Sequence, residues 1–364
     1  MTLVRGSGAT VWDASGRSYL DFYGGHAVAS TGHSHPKVVE AIASQARELL
    51  FYSNVVEIPI RTRAAEAIIR HAPAPLASVF FVNSGTEANE NAMRLARRTT
   101  GREDIVSFEG AFHGRTADAI SAAGLAKYRE LGRPNVPGHR LAPFGDLAAL
   151  ESVLDDRVAA VILEPIQSLA GVVTAPGSYF RELRALCDRA GALLIYDEVQ
   201  TGFGRTGSFF FAGKHDVVPD LVTLAKGIAS GFPMGAVLVA GRIAATVQPE
   251  EYGTTFGGGP VACAAAEATV RVIEEENLLS RVQAGSLRLV DGLRSFAPVR
   301  EVRGEGYLLG IVLDRPARPV REALLARGVL VGGSDDPNVL RLLPPLVLWR
   351  EEIDRFLEIL RELA

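Results

Sequence analysis

The amino-acid sequence predicts an α/β protein in which a mostly parallel sheet is wrapped by helices and a smaller α+β region follows. Three observations predict it. Short apolar runs at 78–82, 104–108, 159–163, 192–196, 221–224 and 235–240 are mostly continuous rather than alternating, as expected of strands buried on both faces. Segments between them, such as 87–98 and 179–190, carry apolar residues at helical spacing. Beyond about Glu275 the pattern changes to a helix over 279–296, strands near 302–314 and 339–343, and a terminal helix from Arg350. The expected division is 36–275 as the large domain and 276–364 as a C-terminal small domain, completed by the N-terminal 1–35.

At 364 residues the chain exceeds the size at which single cores usually stop growing, and 48% hydrophobic residues supply a large core. A net charge of −4, with both signs dispersed and no basic block, argues against nucleic acid as a partner. Cys187 and Cys263 form neither a CxxC pair nor a disulfide framework, which fits a reducing compartment. No apolar stretch approaches the ~18 residues of a membrane span, and residues 1–8 lack a signal-like apolar core. A cytoplasmic location is the expectation.

In open α/β sheets ligands collect at the carboxyl ends of strands. After the run ending at Val82 comes Asn83-Ser84-Gly85-Thr86-Glu87, where Ser84 and Glu87 fit a capping box and Gly85 permits close backbone approach. Free amides at such a helix start suit a phosphate, although an ordinary capped helix has the same signature. After the run ending at Tyr196 comes Asp197-Glu198-Val199-Gln200, a carboxylate placed to hold a proton on a ring nitrogen or simply to cap a loop. After Leu224-Ala225 comes Lys226, one of only four lysines beside Lys37, Lys127 and Lys214. A desolvated lysine can act as a free amine toward an aldehyde, which arginine cannot do.

Other motifs are weaker. Gly202-Phe203-Gly204-Arg205-Thr206-Gly207 reads as G-x-G-x-x-G, and Asp220 lies at a plausible distance to contact a ribose. A nicotinamide site needs those glycines between strand and helix, whereas polar residues 197–201 intervene and Ser208-Phe209-Phe210-Phe211 does not open a helix. No P-loop and no G-x-S-x-G occur. His33 and His35 lack companion ligands, so no metal is expected.

Together these residues resemble the class III (subgroup II) pyridoxal-phosphate aminotransferases, most closely the acetylornithine aminotransferase branch. The resemblance rests on Asn83 to Glu90, Phe112-His113-Gly114-Arg115-Thr116, Glu164-Pro165-Ile166-Gln167, Asp197 to Gly207, Leu224-Ala225-Lys226-Gly227 and Gly253 to Gly258, in this order along nearly the whole chain. It implies a fold-type I enzyme built on a seven-stranded sheet, with pyridoxal 5'-phosphate as cofactor. Lys226 and Asp197 would be catalytic: Lys226 bonds the cofactor aldehyde and shuttles a proton, and Asp197 keeps the pyridine nitrogen protonated. Phe112 and Val199 would sandwich the ring, Gln200 would meet its phenolic oxygen, and Glu164 would join the cofactor pocket. Ser84, Gly85 and Thr86 would bind phosphate together with Thr254 and Thr255 of a second subunit, which implies a homodimer. Arg115 and Arg341 would clamp substrate carboxylates, with His26 and Leu169 facing the substrate.

Three departures stand out. Family members usually read Gln-Gly-Glu where this chain reads Gln167-Ser168-Leu169, and their glutamate neutralises the second arginine when a donor lacks a distal carboxylate. Leu169 therefore leaves Arg341 uncompensated. His26 stands where relatives usually carry isoleucine or tyrosine, and the chain starts about where the family's shared small-domain region begins. The implied reaction moves the ω-amino group of an acylated ornithine to 2-oxoglutarate. The alternatives are an ω-amino-acid transaminase with another donor or pyruvate as acceptor, and more distantly a dehydrogenase or a non-catalytic homologue.

Overall fold

The computed structural model describes residues 1–363. Strands β1 (Leu3–Ser7), β2 (Thr10–Asp13) and β3 (Ser18–Asp21) form an antiparallel ladder. Its outer partner comes from the other end of the chain, because Leu20 and Asp21 pair in parallel with Val329 and Leu330.

The central sheet contains β4 (Leu76–Val82), β5 (Asp104–Phe108), β6 (His139–Ala142), β7 (Val158–Leu163), β8 (Leu193–Asp197), β9 (Leu221–Leu224) and β10 (Gly235–Ala240). Their spatial order is β4-β10-β9-β8-β7-β5-β6. Only β10 runs against the rest, pairing antiparallel with both β9 and β4. Residues 225–234 explain the reversal: the link from β9 to β10 is too short for a parallel crossover, which takes about a dozen residues or more. All six predicted apolar runs lie in this sheet. The seventh strand, β6, escapes the pattern because only Leu141 and Ala142 of its four residues are apolar.

The helix Gly85–Thr100 is capped by the Ser84 hydroxyl, which accepts from Glu87 N at 3.3 Å. The second half of the predicted capping box is displaced: Glu87 accepts from the backbone of Asn83 at 2.8 Å, one residue before the cap. The Ala-rich helix Pro260–Glu275 is buried along most of its length and packs on the helices Pro36–Glu48 and Pro59–Ile69.

The C-terminal segment holds the helix Leu278–Arg294 and strands β11 (Val299–Glu305), β12 (Leu308–Leu313), β13 (Val329–Leu330), β14 (Gly332–Gly333) and β15 (Val339–Leu342). The order β11-β12-β15-β14 makes a third sheet. The terminal helix Arg350–Arg361 sends Phe356 against Phe22, with ring centroids 4.2 Å apart. No helix among the described residues is long and apolar enough to cross a membrane. Cys187 and Cys263 are both free and buried.

Candidate active site

Because β4, β5, β7, β8 and β9 point the same way, their carboxyl ends share one edge of the sheet. That edge carries Ser84, Phe112, Glu164, Asp197 and Lys226, and it opens into a cavity of about 430 Å³. Gly85, Thr86, Arg115, Val199 and Gln200 also line it.

Lys226 opens a single short turn, Lys226–Ala229, directly after β9. Its φ of +46° is left-handed, a conformation that costs a side-chain-bearing residue on the order of 1 kcal/mol or more. The turn is anchored where Ser30 Oγ donates to Gly227 O at 2.9 Å. Burial pushes the Lys226 amine down to about 8, opposed by the carboxylates of Asp197 and Glu164. A lysine so placed holds an appreciable share of free amine near neutral pH.

Asp197 ends β8 and is only 4% exposed. Its Oδ2 accepts from Asn89 Nδ2 at 2.7 Å and faces His113 Nδ1 at 2.8 Å, while Oδ1 accepts from Val199 N at 3.1 Å. Asn89 is fixed in turn: its Nδ2 also donates to His113 O, and its Oδ1 accepts from Thr223 Oγ1 at 2.6 Å. Sequence reasoning assigned no role to Asn89 or His113. A signal existed, since Asn89 is a polar residue on the buried face of the helix Gly85–Thr100 and must find partners there.

Glu164, at the end of β7, accepts from Phe112 N at 2.8 Å and so fixes the backbone of the ring that lines the cavity. Burial, then the Asp197 charge, pushes its carboxyl up to about 7. The neighbouring Glu198 faces away from this work: it accepts from Phe211 N and Ala212 N at 2.6 Å each and holds a loop. Two glycines allow close backbone packing around Ser84 and Val199. A Cβ on Gly85 would lie 3.0 Å from Val199, and one on Gly235 would lie 2.6 Å from Ser84 O. Thr86 Oγ1 meets Thr116 Oγ1 at 2.6 Å.

Arg341 sits on β15, 5% exposed and beyond the cavity wall. Its partners are all neutral: Gly333 O at 2.6 Å, Ser168 Oγ at 3.0 Å and Tyr23 OH at 3.3 Å. Ser168 and Tyr23 are thus the contacts that sequence reasoning missed, while Leu169 itself holds Asp335 N through its carbonyl at 2.8 Å. His26 is exposed, in a left-handed turn running from Gly24 to Ala27, with Nδ1 2.6 Å from Tyr23 OH. Its imidazole is pushed down by partial desolvation on its inner side and by the cations Arg341, Lys226 and Arg115. Arg115 is exposed, its guanidinium 5.2 Å from the Tyr128 ring centroid. Neither Thr254 nor Thr255 lines the cavity; Thr254 Oγ1 accepts from Asn83 Nδ2 at 3.1 Å, and Thr255 is exposed.

The discounted motifs have structural work. The stretch Gly202 to Gly207 forms turns with no helix after it, and Arg205 is buried against the carbonyls of Pro344 and Tyr307. Asp220 accepts from Leu194 N and Arg184. His33 pairs with Asp21 at 2.7 Å and His35 with Glu276 at 3.0 Å.

The family model for aminotransferase class-III matches residues 1–363. The chain belongs to the class-III aminotransferases. It is 43% identical to an acetylornithine aminotransferase of Methanothermobacter thermautotrophicus, across 99% of this chain and 93% of that one. Identity to an acetylornithine aminotransferase of Streptomyces coelicolor is 44%, across 98% and 89%. Among solved structures, ornithine aminotransferase of Toxoplasma gondii superposes with a TM-score of 0.93 at 31% identity, covering 99% of this chain and 89% of that one. An acetylornithine aminotransferase of Elizabethkingia anophelis gives 0.87 at 31%, covering 99% and 92%.

This class-III aminotransferase uses pyridoxal 5'-phosphate. The cavity offers each kind of partner that group requires: a primary amine at Lys226, a buried carboxylate at Asp197, and a helix start at Gly85. Its volume lies within the roughly 300–1,000 Å³ of small-molecule sites.

Proposed function

We propose that this aminotransferase moves the ω-amino group of N-acetylornithine, or of a similar acylated diamino acid, to 2-oxoglutarate, giving a semialdehyde and glutamate. Similarity to acetylornithine aminotransferases supports the donor. The observation that carries the reading is Arg341, a buried cation with only neutral partners, because such a charge is costly unless an anion joins it. A panel of amine donors against 2-oxoglutarate and pyruvate tests it: acylated diamino acids with 2-oxoglutarate should react fastest. Preference for simple amines and pyruvate would overturn it.

In this reading Lys226 binds the cofactor and carries a proton from the donor carbon to its acceptor site. The cofactor, when bound, supplies the electron sink for that carbon. Asp197 keeps the ring nitrogen protonated, with Asn89 and His113 aiming its carboxylate. Phe112 and Val199 flank the ring, Glu164 fixes Phe112, and Gln200 contacts the ring hydroxyl. Ser84, Gly85 and Thr86 hold the phosphate with Thr254 and Thr255 of a partner subunit, so the working unit is a homodimer with twice the mass of the chain in solution. Arg115 and Arg341 bind substrate carboxylates, and His26 and Leu169 border the substrate. The units 1–35 with 276–364, and 36–275, act as small and large domains of a cytoplasmic enzyme.

Two further outcomes are expected. Lysine is the nucleophile only as free amine, and burial lowers its pKa to about 8. The rate at which cofactor-free protein takes up pyridoxal phosphate should therefore rise with pH and level off above about 8, as followed by absorbance. A flat profile between pH 6 and 9 would count against it. Leu169→Glu places a carboxylate on the residue next in chain to Ser168, a partner of Arg341. Donors without a distal carboxylate should gain relative to those with one, and an unchanged donor profile would sink the idea.

A further inference from the structure

The geometry points to Ser168 as a positioning residue that sets the hydrogen-bond polarity of a buried relay from Arg341 to Gln200. This inference rests on the aminotransferase reading of the site. Ser168 is fully buried, and its hydroxyl has two neighbours: Arg341 Nη1 at 3.0 Å and Gln200 Oε1 at 3.0 Å. A guanidinium only donates, so the Ser168 oxygen must accept from Arg341. Its single proton is then committed to Gln200, which must turn its carbonyl oxygen toward Ser168. The Gln200 NH₂ group is left as a donor on a side chain that lines the cofactor cavity.

The same hydroxyl orders the cation. Arg341 spends one N–H on each nitrogen: Nε on Gly333 O, Nη1 on Ser168 and Nη2 on Tyr23 OH. One N–H remains on each terminal nitrogen, the number that a substrate carboxylate takes in a bidentate pair. None of its three partners is charged, so no ion pair has to break before the guanidinium takes an anion. Ser168 thereby serves two ligands at once, the distal carboxylate of a dicarboxylic 2-oxo acid on Arg341 and the electron-rich ring oxygen of the cofactor facing Gln200. A change in one is transmitted to the other through a single proton.

Ser168→Ala in the cofactor-loaded enzyme tests this. Preference for 2-oxoglutarate over pyruvate, read as the ratio of kcat/KM, should fall by about tenfold or more, the size of one hydrogen bond to a charged group. The pH titration of the bound cofactor's absorbance should move as well, since Gln200 loses its fixed orientation. In an Arg341→Ala background the added Ser168→Ala change should alter the ratio by less than about twofold, within the usual limit for uncoupled sites. Equal losses with both acceptors, an unmoved titration or independent effects in the two backgrounds would overturn the relay. Wild-type protein that transfers no amino group from any donor would overturn the reading beneath it instead.

Discussion

Lys226→Ala should yield a folded, colourless protein whose amino transfer is more than about 10⁴-fold slower than wild type, beyond the ~10²–10⁴ attributed to a general base alone. Two functions leave together, the amine that holds the cofactor and the proton carrier of each half-reaction. Stability should not suffer. Burial lowers the Lys226 pKa to about 8, so its cost to the fold builds up as pH falls from the unfolded-chain value of about 10.4 to about 8 and is fully present below that. Alanine removes that penalty and keeps the left-handed backbone. The visible absorbance of purified protein, single-turnover kinetics and a thermal melt at pH 7 and pH 9 check it. A variant that stays coloured with the wild-type band would show that another amine holds the cofactor.

Much of this site was legible because strand ends are positions that a sequence reveals. Each apolar run marks a strand, and Ser84, Glu164, Asp197 and Lys226 lie at or within two residues of their strand ends. Sheet direction was less legible. The reversal of β10 depends on the length of one link, and β6 carries too few apolar residues to announce itself. The supports of the site were hidden for a different reason. Asn89, His113, Ser168 and Tyr23 act through contacts across 24, 84, 173 and 318 positions of chain, and no local pattern encodes such separations. The capping box was half right, because the Glu87 carboxylate accepts from the Asn83 backbone instead of that of Ser84.

Asp197→Asn is expected to keep the Lys226-dependent colour and lose about 10²–10³-fold in turnover, the range for removing one preorganised electrostatic partner. Asparagine has nearly the same shape but not the same valence for hydrogen bonds. Oδ2 of Asp197 receives from both Asn89 and His113, and Oδ1 receives from Val199 N. An amide NH₂ in the first place confronts Asn89 Nδ2, a donor held by His113 O and tied to Thr223 through Oδ1. His113 can adapt, because its Nε2 is buried without a partner and can take the proton from Nδ1. Asn89 cannot. In the second place the NH₂ confronts Val199 N, so either orientation leaves one donor unmatched at a cost of about 1–3 kcal/mol. Turnover and stability should thus fall by separate routes, one through the lost charge and one through the mismatch. Adding Asn89→Asp should not rescue stability, because its carboxylate oxygen would face the His113 carbonyl that Asn89 Nδ2 now serves at 2.7 Å. Thermal melts and turnover check both effects, and wild-type turnover in Asp197→Asn would remove Asp197 from the chemistry.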